Sequence, residues 1–497
     1  MTSNAAAPGG LGPYAAAALV FGASAAVLVV ELVALRLLAP YLGLTLETST
    51  IVIGSALAAI AAGSWSGGRL ADAVPPRRLL APLLAISGVA VAATPPAVRA
   101  AGSVEGGTIL LMIVAGLGIV IPGTFLSAIT PMVTKLRLSS LDQTGRVVGR
   151  LSGIGTVGAI VGTVVTGFIL ISRVPVSGIM VGLGIVLVAA AVAVELRFRS
   201  ARWAAVPALL LVLSGVGAAV APGGCDAETA YHCAVVVDDP ERATGRVLLL
   251  DGAPHSYVDL ADPTHLEFAY ARSVVAAIDT AYAPGQPLRA YHLGAGALTL
   301  PQFLEHTRPG GQNLVSEIDP GVVAIDRERL GYDPRGGISV RVEDGRLGLR
   351  RLTAGSQDLV VGDAFGGISV PWHLTTQEAV REVERVLSPD GTYLVNMIDR
   401  GPLAFARAEV ATLGAEFDHV ALMARTDTLA RTGGGNLVAI ASPAPIDTAG
   451  IAARLADTDT GWGVITGAEL DAWVDGASVL TDDYAPVDQL LTPYTAR

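Results

Sequence analysis

The residues best placed to do chemistry lie at the ends of predicted strands in the second half of the chain. In HLGAGAL, Gly294 and Gly296 make a Gly-x-Gly turn between a strand and a helix, where the missing Cβ lets backbone approach a bound nucleoside. Glu317 closes the next strand about twenty residues later, where a carboxylate can accept hydrogen bonds from both ribose hydroxyls. Asp344 and Gly345 follow a third strand, and Asp363 ends a fourth. A turn glycine or a solvated loop acid explains any one of these; together, at successive strand ends, they point to a nucleoside site.

Positioning them requires alternating strands and helices. CAVVVDD and RVLLLDGAPHSYVDL read as strands joined by turns. After a helix expected from Pro263 to Ala281, the pattern runs strand LRAYHLG, helix LPQFLEH, strand NLVSEID, helix PGVVAIDRERL, strand SQDLVVGDAF, helix TTQEAVREVERVL, strand GTYLVNMI. Such alternation predicts an open parallel sheet with ligands at the strand C-termini.

The first half is a different object. Residues 1–221 hold 13 Lys/Arg against 6 Asp/Glu, whereas residues 222–497 hold 20 against 38, within a net charge of −11. A mean hydropathy of +0.55 is too apolar for an ordinary soluble enzyme, and the excess lies in that half. Seven stretches are long enough to cross a bilayer as helices, at about 14–41, 49–68, 79–98, 108–133, 147–171, 176–194 and 203–221. The first is too long for a signal peptide and lacks a basic leader, so it is read as a span. Cationic residues cluster after the second, fourth and sixth stretches (Arg69, Arg77, Arg78; Lys135, Arg137, Arg146, Arg150; Arg197, Arg199, Arg202), which predicts a cytoplasmic N-terminus. Seven spans then carry the acidic half to the extracytoplasmic face; an even count would leave it in the cytoplasm. Cys225 and Cys233, the only cysteines, bracket CDAETAYHC and can close a small disulfide loop in an oxidising compartment.

Within the spans, Glu31 and Arg36 are costly unless paired or facing a cavity, and the small residues of GSWSGG and GTVGAIVGTVVTG allow close helix packing. The histidines His255, His265, His292 and His373 are scattered, without the spacing of a metal site.

With these motifs in hand, the chain resembles the spermidine synthase (polyamine aminopropyltransferase) family, in its branch with a fused multi-helix N-terminal part. The resemblance rests on LLLDG (248–252), HLGAGALTLP (292–301), SEIDPGVV (316–323), VEDGR (342–346), DLVVGDAF (358–365) and LTDDYAPVDQLL (480–491). It implies a transmembrane helical domain over 1–221, a cysteine loop and β-hairpin region over 222–262, and a Rossmann-like, methyltransferase-type α/β domain over 263–497. The implied co-substrate is decarboxylated S-adenosylmethionine, with no metal, and the implied reaction is aminopropyl transfer to a diamine such as putrescine. By position, Gly294, Gly296, Glu317, Asp344 and Gly345 would hold the nucleoside, with Glu317 on the ribose and Asp344 on the adenine amino group. Asp363 would be the catalytic proton acceptor, while His255, Tyr257, Glu267 and Asp483 are candidates for the acceptor side. The implied partners are the lipid bilayer and a small amine or polyamine, without nucleic acid; homodimerisation is left open.

The sequence departs from that family where the diamine would be gripped. Ala297 stands in place of a diamine-binding aspartate and Gly366 in place of a second aspartate after Asp363; His255 replaces a glutamine, and His265-Leu266-Glu267 a Tyr-His-Glu element. Decarboxylated S-adenosylmethionine is moreover made in the cytosol, the side opposite to the expected orientation. Two alternatives therefore stand beside the enzyme: the same fold with an altered acceptor or lost catalysis, serving as another nucleoside-dependent transferase or an extracytoplasmic binding module, and polycation transport.

Overall fold

The computed structural model describes residues 11–491 apart from 43–45, 103, 105–107, 139–140, 172, 199–208, 214, 217–224, 367–369 and 459. The chain forms two compact units, Met1–Cys233 and Ala234–Arg497. The division falls at the second cysteine, so the cysteine loop belongs with the helices and the hairpin region with the α/β unit.

The first unit is built from α1 (Pro13–Leu42), α2 (Leu46–Ala73), α3 (Leu80–Gly102), α4 (Thr108–Ser127), α5 (Ile129–Arg137), α6 (Thr144–Val165) and α7 (Val176–Phe198). Counting α4 and α5 as one run, six helices among the described residues are long and apolar enough to cross a membrane. The seventh expected stretch, 203–221, lies largely outside the described residues; its described part, 209–213 and 215–216, is helical, and Leu211 lies beside Gly184 of α7. The small residues do bring helices together: a Cβ on Gly158 or Gly162 would sit 2.3 and 2.7 Å from the Phe21 and Ala25 carbonyl oxygens of α1, and one on Gly63 2.2 Å from the Thr124 carbonyl oxygen of α4. No side chain larger than hydrogen fits at such spacings.

These contacts fix two ends for the bundle. At one end the Arg137 guanidinium donates to the Leu11 carbonyl (3.0 Å) and Lys135 pairs with Asp72 (2.5 Å). At the other, Arg99 at the end of α3 reaches Ser177 at the start of α7 (2.6 Å) and Glu228 (2.7 Å). Arg36, near the end of α1, donates to the Tyr231 and Thr229 carbonyls. Glu228 lies in the short strand β1 (Ala227–Glu228), inside the loop that a Cys225–Cys233 disulfide closes.

The second unit opens with an antiparallel sheet of β2 (Cys233–Asp238), β3 (Gly245–Leu250) and β4 (Ala253–Asp259). The main sheet contains β5 (Arg289–Leu293), β6 (Gln312–Glu317), β7 (Ile338–Val342), β8 (Gln357–Gly362), β9 (Leu387–Asp399), β10 (His419–Arg425), β11 (Gly435–Ser442) and β12 (Trp462–Thr466), in the order 12-10-11-9-8-5-6-7. The helices positioning the site are α8 (Ala269–Ala281), α9 (Thr299–Thr307), α10 (Pro320–Arg329), α11 (Gly345–Arg351), α12 (Gln377–Val386) and α13 (Ala404–Gly414). β5 to β9 pair in parallel, as the βα alternation predicts.

Two expectations need correction. The sheet is mixed, because β11 pairs antiparallel with both β9 and β10, and β12 antiparallel with β10. The stretch between β10 and β11 is too short for a crossover helix packed on the sheet, so these strands turn back on each other. The helix expected from Pro263 starts only at Ala269: Asp262 instead accepts from the Thr264 amide and hydroxyl (3.1 and 2.5 Å), a local turn that competes with a helix start.

Candidate functional site

At the end of β5 the chain reverses through three left-handed residues, Gly294 (φ +92°), Gly296 (φ +51°) and Leu298 (φ +57°). The glycines are demanded by approach as well as by angle. A Cβ on Gly294 would lie 2.6 Å from the Asp363 carbonyl oxygen, and one on Gly296 2.3 Å from Ser256 Oγ of β4. The turn thus sits between the end of β8 and the hairpin sheet.

Glu317, at the end of β6, braces that turn. Its Oε2 accepts the Ala295 N–H (2.8 Å) and its Oε1 the Asp319 N–H (2.7 Å); the carboxylate is buried to 8% exposure, with its charge balanced by these amides. Asp319 in turn caps α10 by accepting from Gly321 N–H (2.8 Å). Further along α10, Asp326 is fully buried with no partner for either carboxyl oxygen. Burial, reinforced by the Glu317 charge, pushes its carboxyl well above the ordinary range.

Asp344 caps α11, accepting the Leu347 N–H on Oδ1 (3.0 Å), and its Oδ2 meets His373 Nε2 at 2.8 Å. His373, whose sequence position gives it no metal-site spacing, is brought there by a latch: Arg346 donates to the His373 carbonyl (3.0 Å) and, with both terminal nitrogens, to Asp482 (2.7 Å each). Thr376 also donates to Asp482 (2.7 Å). The hydrogen bonds from Arg346 hold the Asp482 carboxyl down to about 2. In the LTDDY motif Asp482 therefore makes the connection, while the candidate Asp483 is exposed.

Asp363 follows β8 and is held on both oxygens. The Tyr270 hydroxyl of α8 donates to Oδ2 (3.0 Å), and Asn396 of β9 donates to Oδ1 (2.8 Å) while accepting from Asn436 of β11 (3.1 Å). Burial raises the Asp363 carboxyl above its usual value and the two donors oppose that rise. Asp363, Gly294, Ala295 and Ser256 border one small cavity. An Asn inside the apolar strand TYLVNMI was the available signal for Asn396; nothing local marks Tyr270.

The other candidates lie elsewhere. Ser256 lines the cavity, whereas His255 and Tyr257 are not among its lining residues. His255 stacks edge-on near Phe365, with centroids 6.4 Å apart, and Tyr257 donates to Asp239 (2.8 Å). Glu267 pairs with His265 (3.2 Å). Ala297, at the position of the missing aspartate, is fully buried.

A hairpin sheet ahead of a mixed sheet of this order, with a glycine turn and strand-end carboxylates, defines an α/β domain of the methyltransferase type. No protein-family profile matches the chain. Over 141 residues it is 26% identical to a polyamine aminopropyltransferase of Chromobacterium violaceum, covering 28% of this chain and 53% of that protein. Over 120 residues it is 29% identical to a polyamine aminopropyltransferase of Vibrio vulnificus, covering 24% and 40% respectively. The chain thus spans about half the length, or less, of these relatives. Among solved structures, a probable spermidine synthase from Corynebacterium glutamicum aligns at 25% identity and a TM-score of 0.49, over 55% of this chain and 97% of that one. The resemblance read from the motifs is thus matched by sequence relatives named polyamine aminopropyltransferase.

Proposed function

We propose that the α/β unit is a membrane-tethered, polyamine-aminopropyltransferase-like domain that transfers an aminopropyl group from decarboxylated S-adenosylmethionine to an amine. The observation that carries this reading is Asp363: a half-buried carboxylate held by Tyr270 and Asn396, bordering the same cavity as the glycine turn. In this reading Glu317 takes the ribose hydroxyls and Asp344 the adenine amino group. The sulfonium is an excellent leaving group, so the protein has mainly to align the amine with the carbon and accept a proton. An Asp363 carboxyl raised by burial is a better proton acceptor than a solvated one.

The test is turnover by the full chain in lipid nanodiscs, read as methylthioadenosine release by mass spectrometry. Asp363→Asn is expected to lower kcat by about 10²- to 10⁴-fold, the usual range for losing a general base. Unchanged turnover in the variant refutes the assignment. The absence of turnover by the parent protein, with nucleoside binding intact, favours the second reading, a domain with an altered acceptor or lost catalysis, for which the buried Ala297 speaks.

The membrane orientation is part of the proposal: N-terminus cytoplasmic, α/β unit on the opposite face. The end of α7 lies with the start of α1, whereas the cysteine loop is bound to Arg36 and Arg99 at the other end. Phe198 and Cys225 thus lie at opposite ends of a bundle in which α7 alone, with 23 residues, runs about 34 Å, which supports an odd number of crossings. The Cys225–Cys233 disulfide favours an oxidising face. A C-terminal reporter active only in the cytoplasm should be silent; an active one reverses the orientation and places the site on the side where its co-substrate is made.

A further inference from the structure

Resting on the aminopropyl-transfer reading above, we infer that the acceptor is a primary monoamine, one ammonium on an uncharged body, rather than a diamine. Among the described residues lining the cavity, Asp363 is the single carboxylate. The polar atoms around it belong to neutral groups: the hydroxyls of Ser256, Tyr270 and Thr299, and His292. His292 is fully buried against Asn313 (3.2 Å), and burial lowers it to about 4, so the ring is uncharged at neutral pH. Three further acids of this unit hold donors of their own. Glu317 takes two backbone amides, Asp239 takes the Tyr257 hydroxyl, and Asp259 takes Arg242 and Thr244. The stretch from Ala364 to Thr376 contains no acidic residue.

One ammonium can therefore be paired and a second cannot. A second cation brought into this cavity would exchange water for hydroxyls and apolar walls, and an unpaired buried charge is strongly disfavoured. In the transfer itself the amine nitrogen forms a bond to the methylene carbon next to the sulfonium. The carbon–sulfur bond breaks with its electron pair going to sulfur, giving neutral methylthioadenosine, and the ammonium proton passes to Asp363. Only the attacking nitrogen needs an anion for that step.

The experiment compares 1-butylamine with 1,4-diaminobutane, which share a four-carbon chain and differ by one terminal ammonium, using the full chain in nanodiscs with decarboxylated S-adenosylmethionine. The monoamine is expected to have the higher kcat/KM by at least about tenfold. Methylthioadenosine binding is measured separately by calorimetry: its absence means the nucleoside site itself has been misread, and the inference falls with it. With the nucleoside bound, equal or better use of the diamine overturns the inference, as does failure of both amines to bind or react. Thr299→Asp adds a carboxylate to the cavity wall at the first residue of α9, where the helix dipole favours negative charge. It is expected to shift the ratio towards the diamine by about tenfold or more, and an unchanged ratio counts against the inference. Ser256→Asp repeats the test from β4 should the first variant not fold.

Discussion

Replacing Glu317 tests the proposed nucleoside site most directly, because its observed bracing of the glycine turn and its proposed ribose contact have different readouts. The carboxylate accepts the Ala295 and Asp319 amides at 2.8 and 2.7 Å, and one of those amides belongs to the glycine turn. In Glu317→Ala both lose their acceptor. At 8% exposure water can reach the gap in part, so a stability loss of about 1–2 kcal/mol is expected, towards the low end for unsatisfied buried groups. If the same carboxylate also receives both ribose hydroxyls, two hydrogen bonds to a charged group vanish from the complex, about 1.5–3 kcal/mol each. That corresponds to roughly 10²- to 10⁴-fold weaker binding of methylthioadenosine. Calorimetry on the full chain, paired with thermal melts, separates the two effects. Glu317→Gln keeps an acceptor oxygen for one amide and should recover most of the melting temperature but less than tenfold of the affinity. A folded Glu317→Ala protein that binds methylthioadenosine within threefold of the parent refutes the ribose assignment and leaves Glu317 as a brace for the turn.

Two further outcomes concern charge and pH. Arg346 holds the Asp482 carboxyl at about 2 against an ordinary 3.8, so the stability from that pair is complete above the ordinary value and is lost as the pH falls towards 2. Asp482→Asn should abolish that acid-side loss and cost about 1 kcal/mol at neutral pH, a modest figure because Asp482 is partly exposed; an unchanged melting slope over that window would count against the latch. Glu409 of α13 is buried with no partner for either oxygen, and burial pushes its carboxyl well above 4.5. The folded state therefore keeps a proton that the unfolded state gives up, and stability falls as the pH rises through that interval. Glu409→Met should flatten the fall and stabilise the protein at pH 8 by on the order of 1–3 kcal/mol, read from melts at several pH values; a lower melting temperature there would show that the acid has a partner.

The sequence by itself determined the parts of this protein that depend on neighbours along the chain. Apolar runs long enough to cross a bilayer marked the helical unit. The alternation of strand and helix periods marked the parallel half of the sheet, and glycines and acids at strand ends marked Gly294, Gly296, Glu317, Asp344 and Asp363 as one edge. Tertiary structure decided everything that depends on distant pairing. Asp363 meets Tyr270 and Asn396, Asp344 meets His373, and Arg346 meets Asp482. Each of these pairs is separated by tens of residues or more, and no local propensity encodes it. Which face of β4 lines the cavity was likewise unreadable. The β3–β4 register is irregular between the Leu248/Ser256 and Leu249/Pro254 pairs, and that pairing, with packing over the glycine turn, rather than the residues of β4 alone, sets Ser256 beside the turn.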